Sequence, residues 1–166
     1  VAPGSLADTL QTGEVFGSVK AAGKAYQSYN KGAAHGYKAG TMDLEKTPLS
    51  EVMRLQNLPK NHPDKLFAVG AYQVIPDTMK AAVTALGLDP DKTTYDAATQ
   101  TKIMAWLTTE KPGRKGIGDF IRGDSDDILK AQEQMSQEWA SMASVSKGGK
   151  SYYSDGVNKA KISLEQ

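Results

Sequence analysis

The 166-residue chain contains no cysteine, which excludes disulfide bridges, thiolate nucleophiles and cysteine-ligated zinc. It has only two histidines, His35 and His62, and neither has a His-x-x-x-His or Glu-x-x-His partner. Both read as exposed loop residues, and no catalytic zinc site is expected. No run of about eighteen apolar residues occurs, so nothing is expected to insert into a membrane. An excess of one charge is missing too: 20 Lys and Arg stand against 19 Asp and Glu, for a net charge of +1. That balance gives no electrostatic footprint for nucleic acid. The opening Val1-Ala2-Pro3-Gly4-Ser5 lacks the basic and then apolar pattern of a secretory leader, and no internal repeat or low-complexity tract is present.

What remains is a globular composition, 39% hydrophobic and 23% charged. The length fits a single domain over residues 1–166, with the tail 147–166 packing on it or extending it. Such a chain can bury roughly 70% of the surface its unfolded form exposes.

Helical signals dominate. Ser5-Leu6-Ala7-Asp8 reads as an N-terminal cap with Leu6 and Leu10 on one face, and Gly13 is expected to stop that helix with Glu14 at its end. Residues Ser18 to Gly40 read as irregular loop with room for short strands. Thr47-Pro48 predicts a second helix, threonine as cap and proline first inside, with Leu49, Val52 and Met53 as its stripe. Met79, Ala82, Val83 and Leu86 predict a third from Pro76, closed by Gly87. A fourth is expected from Asp96 to Thr109, and a short apolar piece from Ile117 to Ile121. Ser125 is the expected cap of a final helix with stripe Ile128, Met135, Trp139 and Met142. Ser163-Leu164-Glu165-Gln166 reads as the opening of another helix. The class is therefore α+β and mainly α-helical, with a small β or loop element between the first two helices.

Few residues carry chemistry. Thr12-Gly13-Glu14 places a glutamate at a helix end before a glycine-rich polar loop, where partial burial would raise its pKa as a general acid near neutrality requires. A glutamate is ordinarily a solvated surface residue, so more than the pattern is needed. Two segments supply it: Tyr29-Asn30-Lys31-Gly32, and the run from Phe67 to Pro76, in which Gly70 permits close backbone approach while Tyr72 and Gln73 offer a ring and an amide.

In order, Gly-Glu, Tyr-Asn-x-Gly, Glu-Val-Met-Arg-Leu-Gln and Phe-Ala-Val-Gly-x-Tyr-Gln-x-Ile-Pro resemble the lytic transglycosylases and goose-type lysozymes. The pattern is similar to muramidase domains of phages and to antibacterial glycoside hydrolase effectors of type VI secretion. The resemblance covers residues 13 to 123 well and the tail more loosely. It implies a lysozyme-like fold and cleavage of the β-1,4 bond between N-acetylmuramic acid and N-acetylglucosamine in peptidoglycan. It implies Glu14 as catalytic acid, with Tyr29, Asn30, Gly70, Tyr72 and Gln73 binding the sugar. No cofactor is called for.

The relatives often carry an aspartate soon after Tyr-Asn-x-Gly, where this chain reads Ala33-Ala34-His35-Gly36. Asp43 is the candidate second carboxylate, positioning a water, although a turn aspartate beside Thr47 explains it equally well; Glu45 has a weaker claim. Glu51 and Arg54, three apart, read as a surface ion pair within a scaffolding string. The run Asp124-Ser125-Asp126-Asp127 lacks the glycine and distal glutamate of a calcium loop and suits a helix N-terminus. Gly116-Ile117-Gly118 fails the dinucleotide pattern. Trp106 and Trp139 sit at core spacing, and Tyr152-Tyr153 either closes one end of the cleft or pins the tail.

Hydrolysis and formation of a 1,6-anhydro product both remain open. So do two settings: an effector toxin acting in the bacterial periplasm, secreted as a monomer with a cognate immunity protein plugging its cleft, and a phage endolysin. A non-catalytic glycan-binding module on the same fold is the rival from another class.

Overall fold

Six α-helices, three single-turn 3-10 helices and one two-stranded antiparallel sheet make up the regular structure among the described residues of the computed structural model, which are 5–14, 23–153, 156 and 158–165. The mainly helical α+β class is thus observed. Residues 15–22 and Gln166, on which parts of the loop and C-terminal helix expectations fall, lie outside the described residues. No helix among the described residues is long and apolar enough to cross a membrane. The chain divides into two compact units, Val15–Met104 and Val1–Glu14 with Ala105–Gln166.

In the first of these, strand β1 (Ser28–Asn30) pairs with β2 (Ala39–Thr41), with Tyr29 opposite Gly40. A Cβ at Gly40 would fall 2.7 Å from Tyr29 Cζ, so the glycine leaves the space over which the tyrosine ring lies. Helix α2 (Leu49–Gln56) starts one residue later than the sequence predicts. Pro48 takes the cap position; the Thr47 hydroxyl turns back to donate to the Asp43 carbonyl at 2.7 Å instead of capping. Helix α3 (Pro76–Ala85) buries Met79, Ala82 and Val83 as the spacing requires, and Gly87 follows with φ of +60°. Helix α4 (Ala97–Thr109), whose residues from Ala105 on belong to the other unit, is capped by Asp96, whose Oδ1 accepts from the Thr99 amide at 2.8 Å. Its inward face carries Ile103, Leu107 and also Gln100, which is fully buried.

In the other unit, helix α1 (Leu6–Glu14) is capped by Ser5, whose Oγ accepts from the Asp8 amide at 3.2 Å. Gly13 does not stop this helix; it lies inside it, where a Cβ would collide with Ile162 and Ser141. Helix α5 (Lys115–Arg122) packs on α6 (Ile128–Glu138), and Gly116 makes room for the Gln134 side chain. Asp127, not Ser125, caps α6, accepting from the Lys130 amide at 3.0 Å. The helix also ends sooner than its predicted stripe: Ile128 is exposed, Ala131 and Met135 face inward, and Trp139 and Met142 are buried beyond its end. The Glu138 side chain, 6% exposed, holds Lys111 at 2.5 Å and Arg114 at 3.2 Å. The final segment forms no helix over its described residues. Ile162 instead makes a parallel bridge with Met142, and Ala143 pairs with Ser151. Trp106 and Trp139 are core residues, as their spacing predicts.

Candidate active site

Glu14 is the last residue of α1 and is half-buried. Burial is the main influence on its carboxyl and raises its pKa above the usual carboxylate value, because the ionised form loses hydration that the protein returns only in part. The partial return comes from Ser141, whose Oγ donates to Glu14 Oε1 and whose backbone N–H also donates to the carboxyl, and from the positive charge of Lys161. A half-buried, hydrogen-bonded carboxyl whose burial favours the protonated form is the arrangement a general acid needs.

The other expected site residues lie in the Val15–Met104 unit, and two of them join. Asn30 Nδ2 donates to Gln73 Oε1 at 3.1 Å, and Asn30 Oδ1 accepts from the Gly32 amide at 3.0 Å. Gln73 Nε2 donates to the Gly70 carbonyl at 2.8 Å and to Ser28 Oγ at 3.3 Å. Gln73 has φ of +49°, a left-handed conformation that is uncommon for a residue other than glycine and that is retained only where surroundings enforce it. Here the enforcement is a closed turn: Val69 and Val74 exchange both backbone hydrogen bonds at 3.1 and 3.0 Å.

Two glutamines hold this turn from the helices around it. Gln100 Oε1 accepts from the Ala71 amide at 2.9 Å while its Nε2 donates to the carbonyls of Tyr26 and Tyr95 at 2.8 and 2.9 Å. Gln56 Nε2 donates to the carbonyls of Phe67 and Val74 at 2.8 and 3.0 Å. The scaffolding role expected of the Glu-Val-Met-Arg-Leu-Gln string therefore falls to its last residue. Glu51 and Arg54 form the expected exposed pair, bidentate at 2.6 and 2.7 Å.

The expectations for Gly70 and Tyr72 need correction. Gly70 has φ of +78°, and its close approach is to Gln100 and the Tyr95 hydroxyl, where an added Cβ would collide with both. Its role in the structure is to pack the turn. Tyr72 is 1% exposed, with its ring edge-on to Tyr26 at 6.3 Å between centroids. It offers no ring face for stacking on a sugar. Tyr29, Asn30 and Gln73 are half-buried, and among the described residues the amide oxygens of Asn30 and Gln73 each accept from one protein donor, leaving a second lone pair.

Asp43 has the setting of a turn aspartate: its side chain is about half exposed and pairs with Lys46 at 3.5 Å. Glu45 accepts from Gln27 Nε2 at 3.4 Å. His35 and His62 are half-buried where exposure was expected; His62 Nδ1 accepts from the Asp64 amide at 3.1 Å. Arg122 pairs with Asp119 and Asp124 at 2.7 and 2.9 Å. Among the described residues no group of three or more His, Cys, Asp or Glu side chains is placed to hold a metal ion.

Sequence reasoning missed Ser141, Lys161 and Gln100. Gln100 had a legible signal, since it stands three and seven residues before Ile103 and Leu107 on one helical face. Ser141 and Lys161 had none, because both meet α1 from more than a hundred residues away. Compared with protein-family models, with curated proteins and with solved structures, the chain matches none.

Proposed function

We propose that this chain is a lysozyme-like muramidase that cleaves the β-1,4 bond between N-acetylmuramic acid and N-acetylglucosamine in peptidoglycan, with Glu14 as general acid. The observation that carries this reading is the half-buried Glu14 carboxyl at the end of α1, whose burial favours the protonated form. The ordered motifs that resemble muramidases and lytic transglycosylases give that acid its substrate class.

In the proposed reaction Glu14 delivers its proton to the bridging oxygen as the bond from that oxygen to the sugar's anomeric carbon breaks, its electron pair passing to the oxygen. The oxocarbenium-like carbon is then captured by the carbonyl oxygen of the substrate's own acetamido group. Glu14, now a carboxylate, takes a proton from the nucleophile that opens this intermediate. If that nucleophile is water, the product is a reducing end; if it is the 6-hydroxyl of the muramic acid, the product is a 1,6-anhydro sugar. The exposed, lysine-paired setting of Asp43 favours participation by the substrate over a second protein carboxylate. The remaining capacity of the Asn30 and Gln73 amides suits acetamido and hydroxyl groups of the glycan.

An antibacterial effector acting in the periplasm, held in check by an immunity protein in the producer, is the proposed setting. It rests on the motif resemblance alone. Digestion of purified peptidoglycan by the wild type and by Glu14→Gln, with products identified by mass spectrometry, tests the reading. Fragments from the wild type only are expected, and products lighter by one water than hydrolytic ends identify transglycosylation. Glycan binding without cleavage by either protein would replace the enzyme with a binding module.

A further inference from the structure

The residue that precedes the acid explains where the acid's partners come from. Gly13 sits inside α1, where glycine costs about 1 kcal/mol relative to alanine and needs a reason. A Cβ there would lie 2.5 Å from Ile162 Cδ1 and 2.6 Å from Ser141 Oγ. The glycine is therefore the seat on which the C-terminal segment rests. That segment is itself tied together at this point: the amides of Lys161 and Ile162 both donate to the Ser141 carbonyl, at 2.7 and 2.9 Å, and the Ala143 amide donates to the Ile162 carbonyl at 2.9 Å. Lys161 Nζ donates to the Gly13 carbonyl at 3.1 Å, which fixes an ammonium one residue from the carboxyl.

We infer that Ser141 and Lys161 are positioning residues for the Glu14 acid: Ser141 engages Oε1 so that the transferable proton is carried on Oε2, and Lys161 clamps the end of α1 on which the carboxyl stands. The inference rests on the reading of Glu14 as a general acid, and it adds the C-terminal segment to the machinery. Gly13-Glu14 is then a two-part device, one residue for docking that segment and one for chemistry. Both donors also stabilise the carboxylate, opposing the effect of burial. Among the described residues Lys161 is the charged group identified as acting on this carboxyl.

Removing either donor leaves burial less opposed, so the Glu14 pKa rises, the acid stays protonated to higher pH, and the alkaline limb of the rate profile moves up. The full chain, with its glutamate side-chain carboxyls labelled with carbon-13, is titrated by NMR as wild type, Ser141→Ala, Lys161→Met and Lys161→Arg. Glu14→Gln identifies the Glu14 resonance. The midpoint is expected to move up in Ser141→Ala and Lys161→Met and to stay in place in Lys161→Arg, which keeps charge and donor. On peptidoglycan, kcat is expected to fall about tenfold or more in Ser141→Ala with KM nearly unchanged, as misorientation of an acid predicts. Lys161 is exposed, so Lys161→Met keeps the test open if Ser141→Ala fails to fold. An unmoved midpoint in folded Lys161→Met, or in folded Ser141→Ala, overturns the inference while leaving a cleaving wild type intact. A moved midpoint in a protein that cuts no peptidoglycan overturns the muramidase reading instead.

Discussion

Around Glu14, burial withdraws water from a carboxyl, and among the described residues a serine's two donors and a neighbouring ammonium return part of what is lost. Around Gln73, both amide protons and an acceptor are matched to protein partners, and Gln100 and Gln56 bind the backbone of the same turn at hydrogen-bond distances of 2.8 to 3.0 Å. The first region raises the pKa of a carboxyl by burying it, as sites of proton transfer do. The second spends its polar groups on shape, which is a condition for holding a strained backbone in place. Residues of the two segments are placed differently: the Glu14 carboxyl is half-buried with a raised pKa, whereas Gly70 and Tyr72 are buried in the packing of the turn.

Substitutions in the two regions should therefore fail differently. The largest effect on rate is expected from Glu14→Gln: about a 10³-fold loss of peptidoglycan cleavage with the fold intact, measured as kcat beside far-UV circular dichroism. The largest effect on stability is expected from Gly70→Ala. A left-handed φ and the displaced Gln100 amide together cost about 3 kcal/mol, which lowers Tm by roughly 10 °C. A Gly70→Ala protein that melts with the wild type would remove the distinction between the regions.

Glu14→Gln should also sharpen the comparison through pH. Because the folded pKa is raised above the unfolded one, the unfolded state ionises first as pH rises, and the native protein loses stability from its usual carboxylate pKa of 4.5 up to the folded value. The glutamine variant carries no such penalty. Its Tm is expected to exceed the wild type's at neutral pH and to converge with it below about pH 4.5, checked by thermal melts across that range. The smallest effect belongs to Asp43→Asn. An exposed turn carboxylate paired with Lys46 should leave cleavage within about twofold of wild type, and a large loss would return Asp43 to the chemistry.

The helices were legible in the sequence because periodicity, Pro76, Gly87 and Asp96 act within a few residues of where they stand. Errors fell where a distant partner intervened. Gly13 read as a helix stop because glycine is the usual left-handed terminator, yet Ile162 and Ser141 require it as a space inside the helix. Thr47 read as a cap, but its hydroxyl serves the Asp43 carbonyl, while its own carbonyl accepts from the Tyr95 amide at 2.9 Å. The final helix was drawn too long because Trp139 and Met142 keep helical spacing past Glu138, where they are buried by a different route.

By itself the sequence determined the helical class, the buried stripe of α3 and a glutamate at the end of the first helix, all consequences of forces that act over one or two turns of chain. Only the tertiary structure decided that Tyr72 is interior, that Gly70 answers to Gln100, and that Glu14 meets Ser141 and Lys161. The physical reason is that desolvation and hydrogen-bond partnership belong to a place in space. The residues that share a place here stand up to 148 positions apart along the chain.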